Sequence, residues 1–262
     1  MDLQLRQRRI VLTGAAGVLG RAIAQALAAE GAALALLGRD TEALSALAQQ
    51  LLAQGAADAL PIACELSDAA ATDAAIATAD ARLGAIDGLV CAAGAAQGGV
   101  FWEIDDAAWQ RHLEVKLFGT IRTLRAVAPR MIARGKGRIV LVVGNSARQP
   151  DARLLPGAVA NAGLLALVRG LADELGPHGI AINAVNPGPV RSARWERLMQ
   201  AAATREGISA AEAEKRMLQK SALRRLATPE EVATHVVFLA SPLAAHLTGS
   251  SLTVDGGSAS SP

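Results

Sequence analysis

The residues best placed to do chemistry in this chain begin with three that have no side chain. Gly14, Gly17 and Gly20 follow the apolar run Ile10-Val11-Leu12 and lead into Arg21-Ala22-Ile23-Ala24-Gln25-Ala26-Leu27, whose apolar residues recur at helical spacing. A strand that turns through glycines into a helix leaves unpaired N–H groups and the positive end of the helix dipole at the turn, a seat for a pyrophosphate. Gly14 allows the tight turn, Gly17 lets backbone approach a phosphate, and Gly20 lets the helix lie close on the strand. Thr13, Val18 and Leu19 complete the loop. Taken alone, the same pattern also fits an Ala/Gly-rich turn with no ligand.

A second group lies about 20 residues further on, where a dinucleotide site places the residue that meets the adenosine ribose. Here the chain reads Leu36-Leu37-Gly38-Arg39-Asp40. Gly38 offers no carboxylate for ribose hydroxyls, whereas Arg39 offers a planar guanidinium suited to a 2′-phosphate. NADP(H) is therefore expected over NAD(H), with Asp40 capping a helix that starts at Thr41. No His, Cys and carboxylate cluster has metal-ligand spacing, so no metal is expected. The sequence contains no tyrosine.

The elements that must position these residues alternate almost from end to end. Strands are expected over residues 9–12, 33–37, 59–63, 86–91, 137–143, 180–185 and 251–254. Helices are expected over 19–30, 41–53, 69–83, 105–134, 158–175 and 230–239. Short apolar strands separated by amphipathic helices predict a single α/β domain over 1–262: a Rossmann-like, doubly wound parallel sheet of about seven strands with helices on both faces. Ligands bind such sheets beyond the strand C-terminal ends. Residues 191–227 interrupt the rhythm with Trp195, Leu198, Met199, Met217 and Leu218 among many charges, which predicts a helical lid over a pocket. Trp102, Trp195 and Met199 are the residues expected to close over an apolar cleft. Residues 258–262 are small and polar and are expected to fray.

Composition narrows the function classes. With 52% hydrophobic and 19% charged residues, the chain reads as globular rather than disordered. A net charge of +2 is too small to argue for nucleic acid. No apolar run reaches about 18 residues, so neither a membrane span nor a signal peptide is expected, and the reading is cytoplasmic. Cys64 and Cys91 each end an apolar run and read as buried small hydrophobes in a reducing compartment.

The glycine turn, the segment Asn183-Ala184-Val185-Asn186-Pro187-Gly188-Pro189-Val190-Arg191-Ser192, and the end Pro229-Glu230-Glu231-Val232-Ala233 through Val254-Asp255-Gly256-Gly257 together resemble a short-chain dehydrogenase/reductase. The resemblance covers essentially the whole chain. It implies a nicotinamide cofactor, a small carbonyl or alcohol substrate, and a homotetramer or homodimer joined through the terminal region. It also implies that Pro187, Gly188 and Val190 line the nicotinamide side, that Ser192 meets the cofactor, and that Glu65, Leu66, Ala92 and Gly94 belong to the cofactor site. Val18 stands at the usual second-glycine position, with Gly17 beside it.

The family's chemistry uses a serine to hold the carbonyl, a tyrosine made acidic by a nearby lysine ammonium to move the proton, and an asparagine on the preceding helix. The resemblance puts these positions at Gly144, Gly157, Asn161 and Lys116 respectively, so all four residue types are changed. The asparagine and lysine positions have exchanged residue types. The Lys116 ammonium is accordingly expected to enter the lysine's space, contact the nicotinamide ribose and take Asn161 as its hydrogen-bond partner. Ser146, two residues past the serine position, is the candidate to hold a carbonyl, and Lys116 itself is the candidate acid. Asp151 reads as a turn residue, His112 is expected to face away along its helix, and His178 sits in a turn. Three functions remain open: an NADP(H)-dependent oxidoreductase with a rearranged proton-transfer set; an NADP(H)-binding protein of the same fold that has lost hydride chemistry and acts as a structural or regulatory partner; or non-redox chemistry in the same pocket, such as elimination or isomerisation.

Overall fold

Strand and helix alternate in the computed structural model, which describes residues 2–94 and 98–258, much as the apolar pattern predicts. The strands are β1 (Arg9–Thr13), β2 (Ala33–Gly38), β3 (Asp58–Ala63), β4 (Gly88–Cys91), β5 (Gly137–Val142), β6 (Ile180–Pro187) and β7 (Ser251–Val254). They form one parallel sheet in the order β3-β2-β1-β4-β5-β6-β7. The order reverses between β1 and β4, which opens a crevice at their C-terminal ends.

Alternate strand residues feed two cores because successive side chains point to opposite faces. Ile10, Leu12, Leu34 and Leu36 pack with α1 (Val18–Ala29), α2 (Thr41–Ala53) and α9 (Pro229–Ala240). Val11, Ala35, Leu37 and Leu89 pack on the other side with α3 (Ala69–Leu83), α5 (Gly119–Arg134) and α6 (Leu155–Leu175). Among the described residues, the segment Leu155–His178 is long and apolar enough to cross a membrane by length and composition. Its apolarity is accounted for by the second core, into which α6 sends Leu164, Val168, Ala172 and Leu175. Cys64 and Cys91 are buried and unpaired, and burial pushes the Cys91 thiol up to about 12.

Two stretches differ from the sequence expectation. The single helix expected over 105–134 is α4 (Asp106–Leu113), then a π-helical stretch Glu114–Phe118, then α5. One extra residue in a turn leaves the apolar spacing nearly intact, so periodicity does not reveal it. Residues 191–227 form α7 (Ala193–Glu206) and α8 (Ala210–Leu218), with a small core of Trp195, Met199, Ala203, Ala213 and Leu226. A parallel bridge between Val190 and Ala227 closes the base of this arm.

Candidate active site

The glycines after β1 are needed for space as much as for φ. A Cβ on Gly14, at φ +68°, would lie 2.7 Å from the Ala93 backbone; one on Gly20 would lie 2.1 Å from the Gly14 carbonyl oxygen. Gly17 caps α1 in an extended conformation with no capping side chain, so the first-turn amides of α1 have neither an intrahelical acceptor nor a side chain across them. These features fit a dinucleotide phosphate. Beyond them lies a cavity of about 390 Å³ at the C-terminal edge of the sheet.

Twelve of the residues expected at the cofactor line this cavity: Gly17, Val18, Leu19, Gly20, Ala92, Gly94, Lys116, Asn161, Pro187, Gly188, Val190 and Ser192. Five do not. Thr13 is buried, and its carbonyl accepts the Ala92 amide. Gly14 forms the turn behind the cradle. Leu66 packs in the second core and its carbonyl accepts a bond from Arg122. Arg39 and Glu65 follow the ends of β2 and β3 and approach each other at 3.8 Å, with the Arg39 side chain 78% exposed. Asp40 is committed as the N-cap of α2, its Oδ1 accepting the Ala43 amide at 2.9 Å.

Lys116 sits in the π-helical stretch, whose widened turn is closed by the Gly119 amide donating to the Glu114 carbonyl. Its side chain runs past Gly94, where a Cβ would come within 3.0 Å of Lys116 Cδ. Nζ then donates to the Val143 carbonyl at the end of β5, at 2.7 Å. Burial, and secondarily the Arg194 charge, lower the Lys116 ammonium to about 8. The ammonium does enter the cavity, but the expected Lys116–Asn161 hydrogen bond is absent among the described residues. Asn161 Nδ2 instead donates to Ser146 Oγ at 2.8 Å, and Asn161 Oδ1 is buried without a partner. The route past Gly94 delivers Lys116 to the Val143 carbonyl, while the Asn161 amide is turned toward Ser146.

Gly144 stands between these groups at φ +127°, and a Cβ there would lie 2.9 Å from Asn161 Nδ2. Gly144→Ser is therefore expected to destabilise the fold by about 1–3 kcal/mol, read as a lowered thermal midpoint. A variant as stable as the parent would show that the loop relaxes freely.

His112 corrects the sequence reading. It lies four residues before Lys116, is 7% exposed, and lines the cavity rather than facing away. The i, i+4 spacing carried that signal, since such residues share a helix face. Burial, with the charges of Lys116 and Arg194, lowers His112 to about 4, and its Nε2 is buried without a partner.

The arm contributes Ser192, Arg194, Trp195 and Leu198 to the lining. Ser192 caps α7 by accepting the Trp195 amide at 3.2 Å and donates to the Val190 carbonyl. Trp195 Nε1 is held by Glu214 at 3.1 Å. Met199 belongs to the arm's own core, and Trp102 is 83% exposed and does not line the cavity, so of the three expected closing residues only Trp195 takes part. Asp151 accepts the Arg153 amide in an exposed turn, as read from the sequence.

The glycine-rich end of the chain braces both walls. Ser221 Oγ donates to the Gly256 carbonyl, the Leu223 and Ala222 amides bond Gly256 and Gly257, and Gly188 packs on Asp255 with no room for a Cβ. Ser258, expected to fray, is bonded by Asn145 Nδ2 at 3.1 Å and to Asp255; residues 259–262 lie outside the described residues. Asn183 and Asn186 are structural: they tie β6 to Leu247, Ser250 and Ser251.

A parallel sheet with a glycine cradle at its switch point defines a dinucleotide-binding α/β protein, and comparison with known proteins carries this further. A family model described as Enoyl-(Acyl carrier protein) reductase matches residues 14–259. The chain is 36% identical over 247 residues to the short-chain reductase protein NovJ of Streptomyces niveus, covering 94% of this chain and 92% of that one. It is 33% identical to 2-(S)-hydroxypropyl-CoM dehydrogenase 3 of Xanthobacter autotrophicus, covering 98% of each. Its fold superposes on L-sorbose reductase from Gluconobacter frateurii, a structure complexed with NADPH and L-sorbose, with a TM-score of 0.93, 28% identity and full coverage of both chains. The chain belongs to the short-chain dehydrogenase/reductase family and is an NAD(P)-dependent oxidoreductase.

Proposed function

We propose that the chain is an NADP(H)-dependent oxidoreductase for a small carbonyl or alcohol substrate, in which Lys116 moves the proton and Ser146 holds the carbonyl. The observation that carries this reading is the Lys116 ammonium, set in the cavity at the end of β5 with its acidity moved to about 8. Gly144 and Gly157 supply no side chain at the positions where the family has serine and tyrosine, and Asn161 stands at the lysine position. When bound, the nicotinamide supplies or accepts the hydride.

The chain must then provide a hydrogen bond to the carbonyl oxygen and one proton. Ser146 Oγ accepts from Asn161, which leaves its own proton free for a carbonyl oxygen. Lys116 gives one N–H to Val143 and keeps two, one of which reduction consumes. A lysine with its acidity near working pH suits that transfer. The arm 191–227 serves as a lid whose Trp195 and Leu198 exclude water. NADPH fluorescence titration, followed by consumption of bound NADPH with a panel of ketones, aldehydes and quinones, tests the reading. NADPH that binds but is never oxidised, together with unchanged binding in Lys116→Ala, would remove it.

Arg39 supports the choice of NADP(H), because the carboxylate nearest the ribose position, Asp40, is spent on α2. Arg39→Ala is expected to weaken NADPH by about tenfold while leaving NADH unchanged. Equal losses for both cofactors in the same titration would contradict the assignment.

A further inference from the structure

The charged groups lining the cavity are all basic. Among its described lining residues are His112, Lys116 and Arg194, and no aspartate or glutamate. Two of the three are accounted for: the Lys116 ammonium is held by the Val143 carbonyl, and His112 is held neutral by its burial. Arg194 is not accounted for. It stands in the first turn of α7, exposed at the rim of the cavity it lines, and makes no hydrogen bond or ion pair among the described residues. Arg197, whose charge acts on it, has the same sign.

A guanidinium without a protein counter-charge at the open side of a cavity is placed to meet an anion that arrives with a ligand. The cofactor's phosphates have their own seat at the amide end of α1, and the charge of Arg194 falls instead on Lys116 and His112, at the reacting end of the cavity. The wall beside Arg194 is apolar, built by Trp195, Leu198 and Leu154.

We propose that the substrate is an oxo or hydroxy acid with an apolar body, its carboxylate paired with Arg194. This rests on the reading of the cavity as the site of carbonyl chemistry. A carboxylate presents two oxygens to the two parallel N–H groups of a guanidinium, which also orients the carbonyl toward Lys116.

The test titrates the NADP⁺-loaded protein, in which a ketone has no hydride to accept, with 4-phenyl-2-oxobutanoate and with its methyl ester, following tryptophan fluorescence. The acid is expected to bind about tenfold more tightly than the ester. Arg194→Ala should abolish that preference by weakening the acid alone, Arg194→Lys should retain part of it, and NADPH affinity should be the same in both variants. Equal binding of acid and ester, no binding of either, or a loss of NADPH affinity in Arg194→Ala would overturn the assignment. Because binding is read without turnover, a protein that prefers the acid yet never oxidises NADPH would sustain this inference while removing the proton-transfer role of Lys116.

Discussion

Replacing Lys116 with methionine is expected to lower kcat for carbonyl reduction about 10²–10⁴-fold, the loss that follows removal of a positioned acid. Methionine fills much of the same channel past Gly94, so the change removes the ammonium more than the packing. NADPH should weaken by less, about tenfold, as for one charge-assisted bond. The pH profile separates catalysis from structure. With the Lys116 ammonium lowered to about 8, the protonated donor disappears as pH rises through that value, so kcat/KM for reduction should fall above about pH 8 in the parent. Lys116→Met should lose that limb altogether. A variant that keeps both the rate and the limb would place the proton donor elsewhere.

The second large effect is on stability. Asp87 is almost buried just before β4, where Oδ2 accepts the Arg9 amide and Nε, at 3.1 and 2.7 Å, and Oδ1 accepts from Arg9 at 3.0 Å and Arg134 at 2.6 Å. Burial disfavours its charge, but the bonds from Arg9 and Arg134 outweigh this and hold the carboxyl well below the usual carboxylate range. One carboxylate thus joins the start of β1, the approach to β4 and the end of α5. Asp87→Ala would leave two partly buried guanidinium groups without their partner, and a cost of about 3 kcal/mol is expected. For a chain of this size that corresponds to a drop of about 6–12 °C in the thermal midpoint.

The pH dependence has a definite sign. A carboxyl whose folded pKa is depressed stabilises the fold above its unfolded value, about 4, and that contribution is lost as pH falls below it. The gap between parent and Asp87→Ala should therefore be full at neutral pH and shrink progressively below about pH 4 in denaturant titrations. A gap independent of pH would assign the loss to packing rather than to the ion pairs.

The fold was legible because its signals are local. Apolar strands, the glycines after β1 and the Asp40 cap each follow from a few adjacent residues, and the seven strands lie within a few positions of where alternation puts them. The π-helical stretch was not legible, since one extra residue barely disturbs a 3.6-residue pattern. At the site, the positions of Lys116 and Ser146 in the cavity were readable from the resemblance, but their partners were not. The acceptor for Lys116 is a backbone carbonyl, which no residue type announces. His112 was readable from its spacing to Lys116 and was missed. Arg194 was hidden for another reason: it reaches the cavity only because residues 191–227 fold back on a core of their own.

The bracing by Asp255, Gly256, Gly257 and Ser258 gives the cavity a single latch for two walls. Through Ser221 and Leu223 it grips the foot of the arm that carries Arg194 and Trp195; through Asn145 it grips the turn that carries Ser146. The two walls are therefore tied to one another through that segment's backbone. One short segment thus fixes both the foot of the arm and the turn on which Ser146 stands.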